Sequence, residues 1–294
     1  MAWIDDALER LVKLPVCGYQ HSDAGATEPS ALTALALTGH GANGPADTRF
    51  AAEGNVIGRF LQEIQGPDGS VGVRKGEDSP RWPTSLALLA WLAVNKLAYS
   101  DQIARGVRWA LSIEGERLKQ SSTGHNSMLS AWPWVEGTHS WIEPSAFFVL
   151  AFKALSLSDH QRTREAVTLL IDRILPDGGC NYGNTAVLGQ LLRPHVQPTG
   201  IALLALRNEF DVNHKLARSV DYLSKEVTPD TTSASLAWAL LGLAAHDRTP
   251  RHADQLLAAA FARTIKRDQS PHKIALLALA ALGAQAPLIT LQQA

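Results

Sequence analysis

Residues 143–152 read EPSAFFVLAF: a carboxylate and a proline stand directly before an almost wholly apolar run. Proline fits the first helical turn, where its missing N–H goes unneeded and its φ is already helical. A Glu before it, or a Ser or Thr after it, complements the free N–H groups and the helix dipole. A helix apolar nearly all round is a buried helix. The same opening returns along the chain as EPSALTALAL from Glu28, WPTSLALLAW from Trp82, QPTGIALLAL from Gln197, PDTTSASLAW from Pro229 and SPHKIALLAL from Ser270. Five of the six openings carry proline at the second position, and the sixth carries Asp230 there.

Between these runs lie segments with charge on one face: Ile4–Leu14, Asp47–Ile64, Asp101–Ile113, His160–Ile174, His214–Lys225 and Arg251–Lys266. The order is amphipathic then buried, six times over. It predicts an all-α chain in one domain over residues 1–294: six helical hairpins, with an inner ring of six buried helices and an outer ring of six amphipathic ones. This is an α/α toroid, also called an α6/α6 barrel. An open solenoid would use the same alternation, but it would carry more distinctive polar caps at its ends. The connections are lopsided. Links from outer to inner helix are long at 15–28, 65–82, 114–143 and 175–197, whereas inner-to-outer links are short, as in HDRTP at 246–250. The long loops therefore gather at the end where the buried helices begin, and loops on one face of a rigid scaffold are where function concentrates.

Composition narrows the classes. Apolar residues make up 46% and charged residues 19%, enough for a sizeable core, and the net charge of −1 with no basic block gives nucleic acid no footprint. Two cysteines, Cys17 and Cys180, form no disulfide framework and suit a reducing compartment. The start MAWIDDALERLVKLP is acidic and amphipathic rather than secretory, and no apolar run reaches bilayer length. The expectation is a cytoplasmic protein, with peripheral membrane contact left open.

FLQEIQGPDGSV, residues 60–71, resembles the QW motif of the prenyltransferase and squalene-cyclase repeat superfamily. It has Phe60-Leu61, then Gln65 and Gly69, with Val71 where the family prefers tryptophan. LIDRILPDGGCNYG, 170–183, is a weaker copy, and WPWVEGTHSWIEPSA and DGGCNYGN look like loops of stand-alone bacterial members. The resemblance covers essentially the whole chain as periodicity. It implies an α/α toroid with a central aromatic-lined cavity, found in protein prenyltransferases, class II terpenoid cyclases and relatives with no assigned reaction.

Class II cyclases begin by protonating an alkene or epoxide, which needs a carboxylic acid kept neutral by burial or a like-charged neighbour. TPDTTSA, 228–234, matches the end of the family's DxDTT acid motif at Asp230, Thr231 and Thr232, with Thr228 in place of the first aspartate. The resemblance implies Asp230 as the acid; as a residue at a helix start it would equally serve as a cap. Prenyltransferase zinc would need Asp, Cys and His ligands. Asp177, Cys180, His195 and His214 have the types but not the family's spacing, so no metal or other cofactor is expected. Arg74, Lys75, Arg81 and Arg193 read as solvated loop charges, and the Gly-rich loops lack the Lys-Ser/Thr ending of a phosphate loop.

Glu28 and Glu143 occupy the same place in repeats one and three, preceded by His21 and His139. They would do general acid–base work if they face each other across a cavity, or would simply cap two helices. Trp82, Trp132, Trp134, Trp141, Asn181 and Tyr182 sit in or at the end of the long loops, while Phe147 and Trp238 lie on buried helices. Aromatic faces can wall an apolar ligand and stabilise carbocations. Catalytic candidates are thus Asp230, Glu143, His139 and Glu28, and the ligand expected is isoprenoid-like or otherwise elongated and apolar. A non-catalytic toroid presenting its loops to a peptide or protein partner is the alternative. A carbohydrate-active α/α barrel with opposed carboxylates is the third reading.

Overall fold

The computed structural model describes residues 2–42, 48–118 and 124–293. The outer helices are α1 (Ala2–Lys13), α3 (Thr48–Ile64), α5 (Ser100–Ser112), α7 (Gln161–Asp172), α9 (Lys215–Glu226) and α11 (Ala253–Arg267). The inner ones are α2 (Thr27–Ala42), α4 (Thr84–Asn95), α6 (Ile142–Ala154), α8 (Val196–Ala205), α10 (Ser233–Ala245) and α12 (Pro271–Ala281). The outer bounds fall within a residue or two of those expected. The expected start of α3, Asp47, lies outside the described residues.

Each inner helix contacts the next in chain order, and α12 returns to α2; α1 docks on α12 and α11. The inner ring closes and the last outer helix meets the first, so the chain forms a toroid rather than an open stack. The reason lies in the residues: α6 is buried along its whole length, whereas α5 and α9 bury one stripe and leave their charges in water. The ring is tightest between α8 and α10. A Cβ on Gly200 would come within 2.5 Å of Trp238 O, and one on Gly242 within 2.6 Å of Gly200 O, so only glycine allows these backbones to approach so closely.

The QW-like segment works as a clamp between repeats. Gln65 Nε2 donates to Gly69 O and to Gln102 O, both at 2.9 Å. Gly69 has φ +96°, and a Cβ there would stand 2.4 Å from Arg105 O. Gly178, in the weaker copy, repeats this conformation against Arg218.

The long loops are stitched into a belt at the inner N-termini. Thr27 N donates to Val73 O, Ile142 N to Tyr182 O, and Ser270 Oγ to Tyr19 O, while Arg81 meets Glu136 at 3.1 Å. A two-stranded hairpin, β1 (Ala186–Val187) and β2 (Gln190–Leu191), rises from the last of these loops. The opposite end carries an element that periodicity does not show. After α12, residues 283–293 turn through short 3-10 segments and α13 (Pro287–Thr290), touching α2, α6 and α10, and Gln292 Nε2 reaches Leu204 O at the end of α8. This segment stoppers the far mouth of the ring. No helix of the described residues is long and apolar enough to cross a membrane.

One expected helix start moves. The PDTT opening is a turn, not the first turn of α10: Thr231 N donates to Thr228 O, and Thr228 N to Thr231 Oγ1 at 3.0 Å. Pro229 and Asp230 occupy the middle of that turn, where Pro favours the first central position. Thr232, not Asp230, stands at the cap position of α10.

Candidate functional site

The residues at the first position of four repeat openings, Glu28, Trp82, Glu143 and Gln197, come together at the inner N-terminal rim. Glu143 lies in the first turn of α6 and is only 6% exposed. Gln197, its counterpart on α8, donates from Nε2 to Glu143 Oε1 at 3.0 Å. Burial pushes the Glu143 carboxyl up to about 7; the Gln197 hydrogen bond opposes this, and the charge of Glu28 adds to it. The two carboxylates are therefore near enough to sense each other.

Glu28 sits in the equivalent turn of α2 with different neighbours. Tyr19 O–H donates to Oε2 at 2.6 Å, and His272 Nε2, from the first turn of α12, lies 3.3 Å from Oε1. Burial alone would raise this carboxyl too. The charge of His272 and the hydrogen bonds from His272 and Tyr19 outweigh it, and Glu28 is held below the usual carboxylate value. Tyr19 is itself raised by burial and by the Glu28 charge, so it stays a hydrogen-bond donor. Its ring lies 5.2 Å from that of His272.

Below the carboxylates the aromatics form a continuous row. Trp134 meets Trp82 edge-on at 4.7 Å, Trp82 stacks on Phe147 at 5.9 Å, and Phe147 tilts against Trp238 at 5.5 Å. Phe147 is one helical turn after Glu143, so α6 presents acid and ring on one face. Phe147 and Trp238 come from inner helices separated by α8, so the row reaches across that helix. The rings expected to line a ligand cavity thus touch one another and make a floor beneath the rim.

Other expected residues are placed elsewhere. Asp230 is exposed in the turn before α10 and does not join the buried rim residues. His139 does not join Glu143: its ring lies against Trp141 at 4.6 Å and borders a separate small cavity with Glu116 and Arg173. Trp132 is fully buried in the wall, with its indole N–H donating to Ala110 O at 2.9 Å, Phe148 stacked on it and Arg162 over its face at 4.9 Å. It supports the ring and does not line a site. Trp141 holds the cap position of α6, Asn181 Nδ2 donates to Arg193 O within its own loop, and Tyr182, 42% exposed, rests on His195. Cys180 is buried with its thiol pushed up to about 12 by burial, which keeps it protonated.

Tyr19, Gln197 and His272 were missed by the sequence reading. Gln197 had a signal, since QPTG aligns with EPSA, and His272 follows the proline of its own repeat opening. Tyr19 had none, because its loop has no period.

No family model and no curated protein matches the chain. Among solved structures, a variant of the type II terpene cyclase MstE from Scytonema, in complex with its product merosterolic acid A, superposes with a TM-score of 0.63 at 11% identity, over 97% of this chain and 98% of that one. Salmonella alpha-2-macroglobulin reacted with methylamine superposes with a TM-score of 0.52 at 14% identity, over 93% of this chain. The chain spans only 17% of the macroglobulin. At such identities the likeness speaks for architecture alone: this chain has the α/α-toroid fold of a type II terpene cyclase.

Proposed function

We propose that the rim of the toroid binds an apolar, isoprenoid-like ligand and that Glu143 acts on it as a general acid, in an acid-initiated cyclisation or a related prenyl reaction. The observation that carries this reading is the buried Glu143 carboxyl, half protonated near neutrality above an aromatic floor and within reach of the Glu28 charge. Protonation of an alkene by Glu143 forms a C–H bond and leaves a carbocation. Trp82, Phe147 and Trp238 offer π faces to that cation, and ionised Glu28 offers a counter-charge. Ring closure moves the cation along the chain, and loss of a proton to a carboxylate ends the reaction. Buried thiols at Cys17 and Cys180 agree with a reducing, cytoplasmic setting.

The second reading is a binding module for a peptide or protein, and the apolar hairpin tip favours it: Leu188 is 98% and Leu191 66% exposed. The same residues would serve peripheral membrane contact. Native mass spectrometry of protein purified from its source host, before and after organic extraction, separates these readings. A stoichiometric apolar small molecule supports the acid site, and Glu143→Gln should then lower its turnover by about 10²–10⁴-fold. A lipid-free protein carrying a peptide would overturn it in favour of the binding module.

A further inference from the structure

At the tip of the β1–β2 hairpin Val187 pairs with Gln190, so Leu188 and Gly189 alone make the turn. Their φ angles are +51° and +76°, as in a type I′ turn, whose first position ordinarily holds Asn, Asp or Gly. A leucine in that left-handed conformation is strained, and at 98% exposure it gains no packing within the chain in return. Val187 and Leu191 beside it are exposed as well. The hairpin rests against the third long loop: His125 Nδ1 lies 3.2 Å from Thr185 Oγ1, and a Cβ on Gly124 would stand 3.8 Å from Ala186 Cβ. That loop adds two more exposed apolar side chains, Leu118 and Met128, where Leu118 N–H donates to Ser127 O. Charge is uneven across this patch. From Gly178 to His195 the chain carries no carboxylate, and Arg193 and His195 stand exposed at the foot of the hairpin. On the third loop the exposed Glu116 precedes Leu118, with Arg117 between them held to Glu114 and Glu165. The free positive charge is therefore on the hairpin side.

We propose that this patch docks the toroid on an anionic lipid surface, with Leu188 and Leu191 sunk below the headgroups and Arg193 against lipid phosphates. A strained leucine held in water is explained if its ordinary surroundings are apolar. A convex knob suits a yielding surface into which side chains sink. Peptide recognition uses grooves or long strand edges, and β2 is two residues long. Docking turns the long-loop end, and with it Glu28 and Glu143, toward the lipid. An apolar ligand dissolved there would reach the rim without crossing water, a step that rests on the proposed function; the docking itself does not.

The test is co-sedimentation of the full chain with vesicles of phosphatidylcholine and, separately, of phosphatidylcholine mixed with phosphatidylglycerol. Binding is expected, and more strongly to the mixture. Leu188→Asn installs a residue that the turn prefers. It should keep or raise the melting temperature while weakening binding about tenfold or more, the apolar transfer of one leucine. Arg193→Gln should weaken binding to the mixed vesicles about fivefold and leave binding to phosphatidylcholine unchanged. A polarity-sensitive fluorophore on Leu188→Cys should shift to the blue on vesicles; Cys17 and Cys180 are buried and do not compete for the label. No co-sedimentation with either vesicle, or equal binding by Leu188→Asn, would overturn the proposal and leave the hairpin to a protein partner. Equal binding to the two vesicles would overturn the role of Arg193. Native mass spectrometry reads the rim ligand separately, so an apolar molecule found there beside a failed vesicle assay would sink the docking alone.

Discussion

Glu28 and Glu143 occupy the same register in two copies of one hairpin, each in the first turn of an inner helix, each followed by Pro-Ser-Ala. The helix dipole favours the ionised form of both. Yet one carboxyl is held below its usual range and the other is raised to about 7. The difference comes from the partners. Glu28 faces the Tyr19 phenol of its own loop and the His272 imidazole of the sixth repeat, both donors and one able to carry charge, whereas Glu143 faces the neutral Gln197 amide of the fourth. A repeat protein can therefore copy a side chain and still shift the copies in opposite directions, because the partners are not copied with it.

The sharpest way to break this contrast is Glu143→Gln. Between about pH 4.5 and pH 7 the folded chain keeps a proton on Glu143 that the unfolded chain has released, so stability falls as pH rises through that window. The amide should remove that slope and stabilise the protein by up to about 3 kcal/mol above pH 7, read from urea unfolding at several pH values. Glu28 has the reverse sign: its contribution is present above the unfolded carboxyl value and lost as pH falls through its lower folded one. Tyr19→Phe removes a 2.6 Å donor from Glu28 and should cost roughly 1–2 kcal/mol near neutral pH, with a smaller loss at acid pH. Gln197→His tests whether the neighbour is sufficient. It gives Glu143 a partner like that of Glu28 and should lower the Glu143 midpoint by about one unit, measured by carboxyl ¹³C titration. Asp230→Asn should be the smallest change, within about 0.5 kcal/mol and without effect on ligand binding, because that side chain is exposed in a turn.

The ring architecture was legible because period is a property of the chain: helix starts repeat, and the burial pattern of α6 or α8 is written in ten residues. Glu28 and Glu143 were found by the same register. Their difference was not, since it depends on Tyr19, Gln197 and His272, which approach from other repeats or from an aperiodic loop. Trp132 and Trp82 look alike in sequence, each in or at the end of a long loop. One is locked in the wall by Ala110 and Phe148, and the other belongs to the row beneath the carboxylates. Asp230 was misplaced for a related reason: a Pro-Asp-Thr-Thr run opens a turn as readily as a helix, and Thr231 decided it through the backbone of Thr228. The closing segment at 283–293 is too short for periodicity to register.

That closing segment leaves the toroid one open end and not two. With α13 set against α2, and Gln292 bonded to the end of α8, the end opposite Glu28 and Glu143 is shut by the chain itself. A ligand held at the rim, as proposed, would therefore come and go on the side of the long loops.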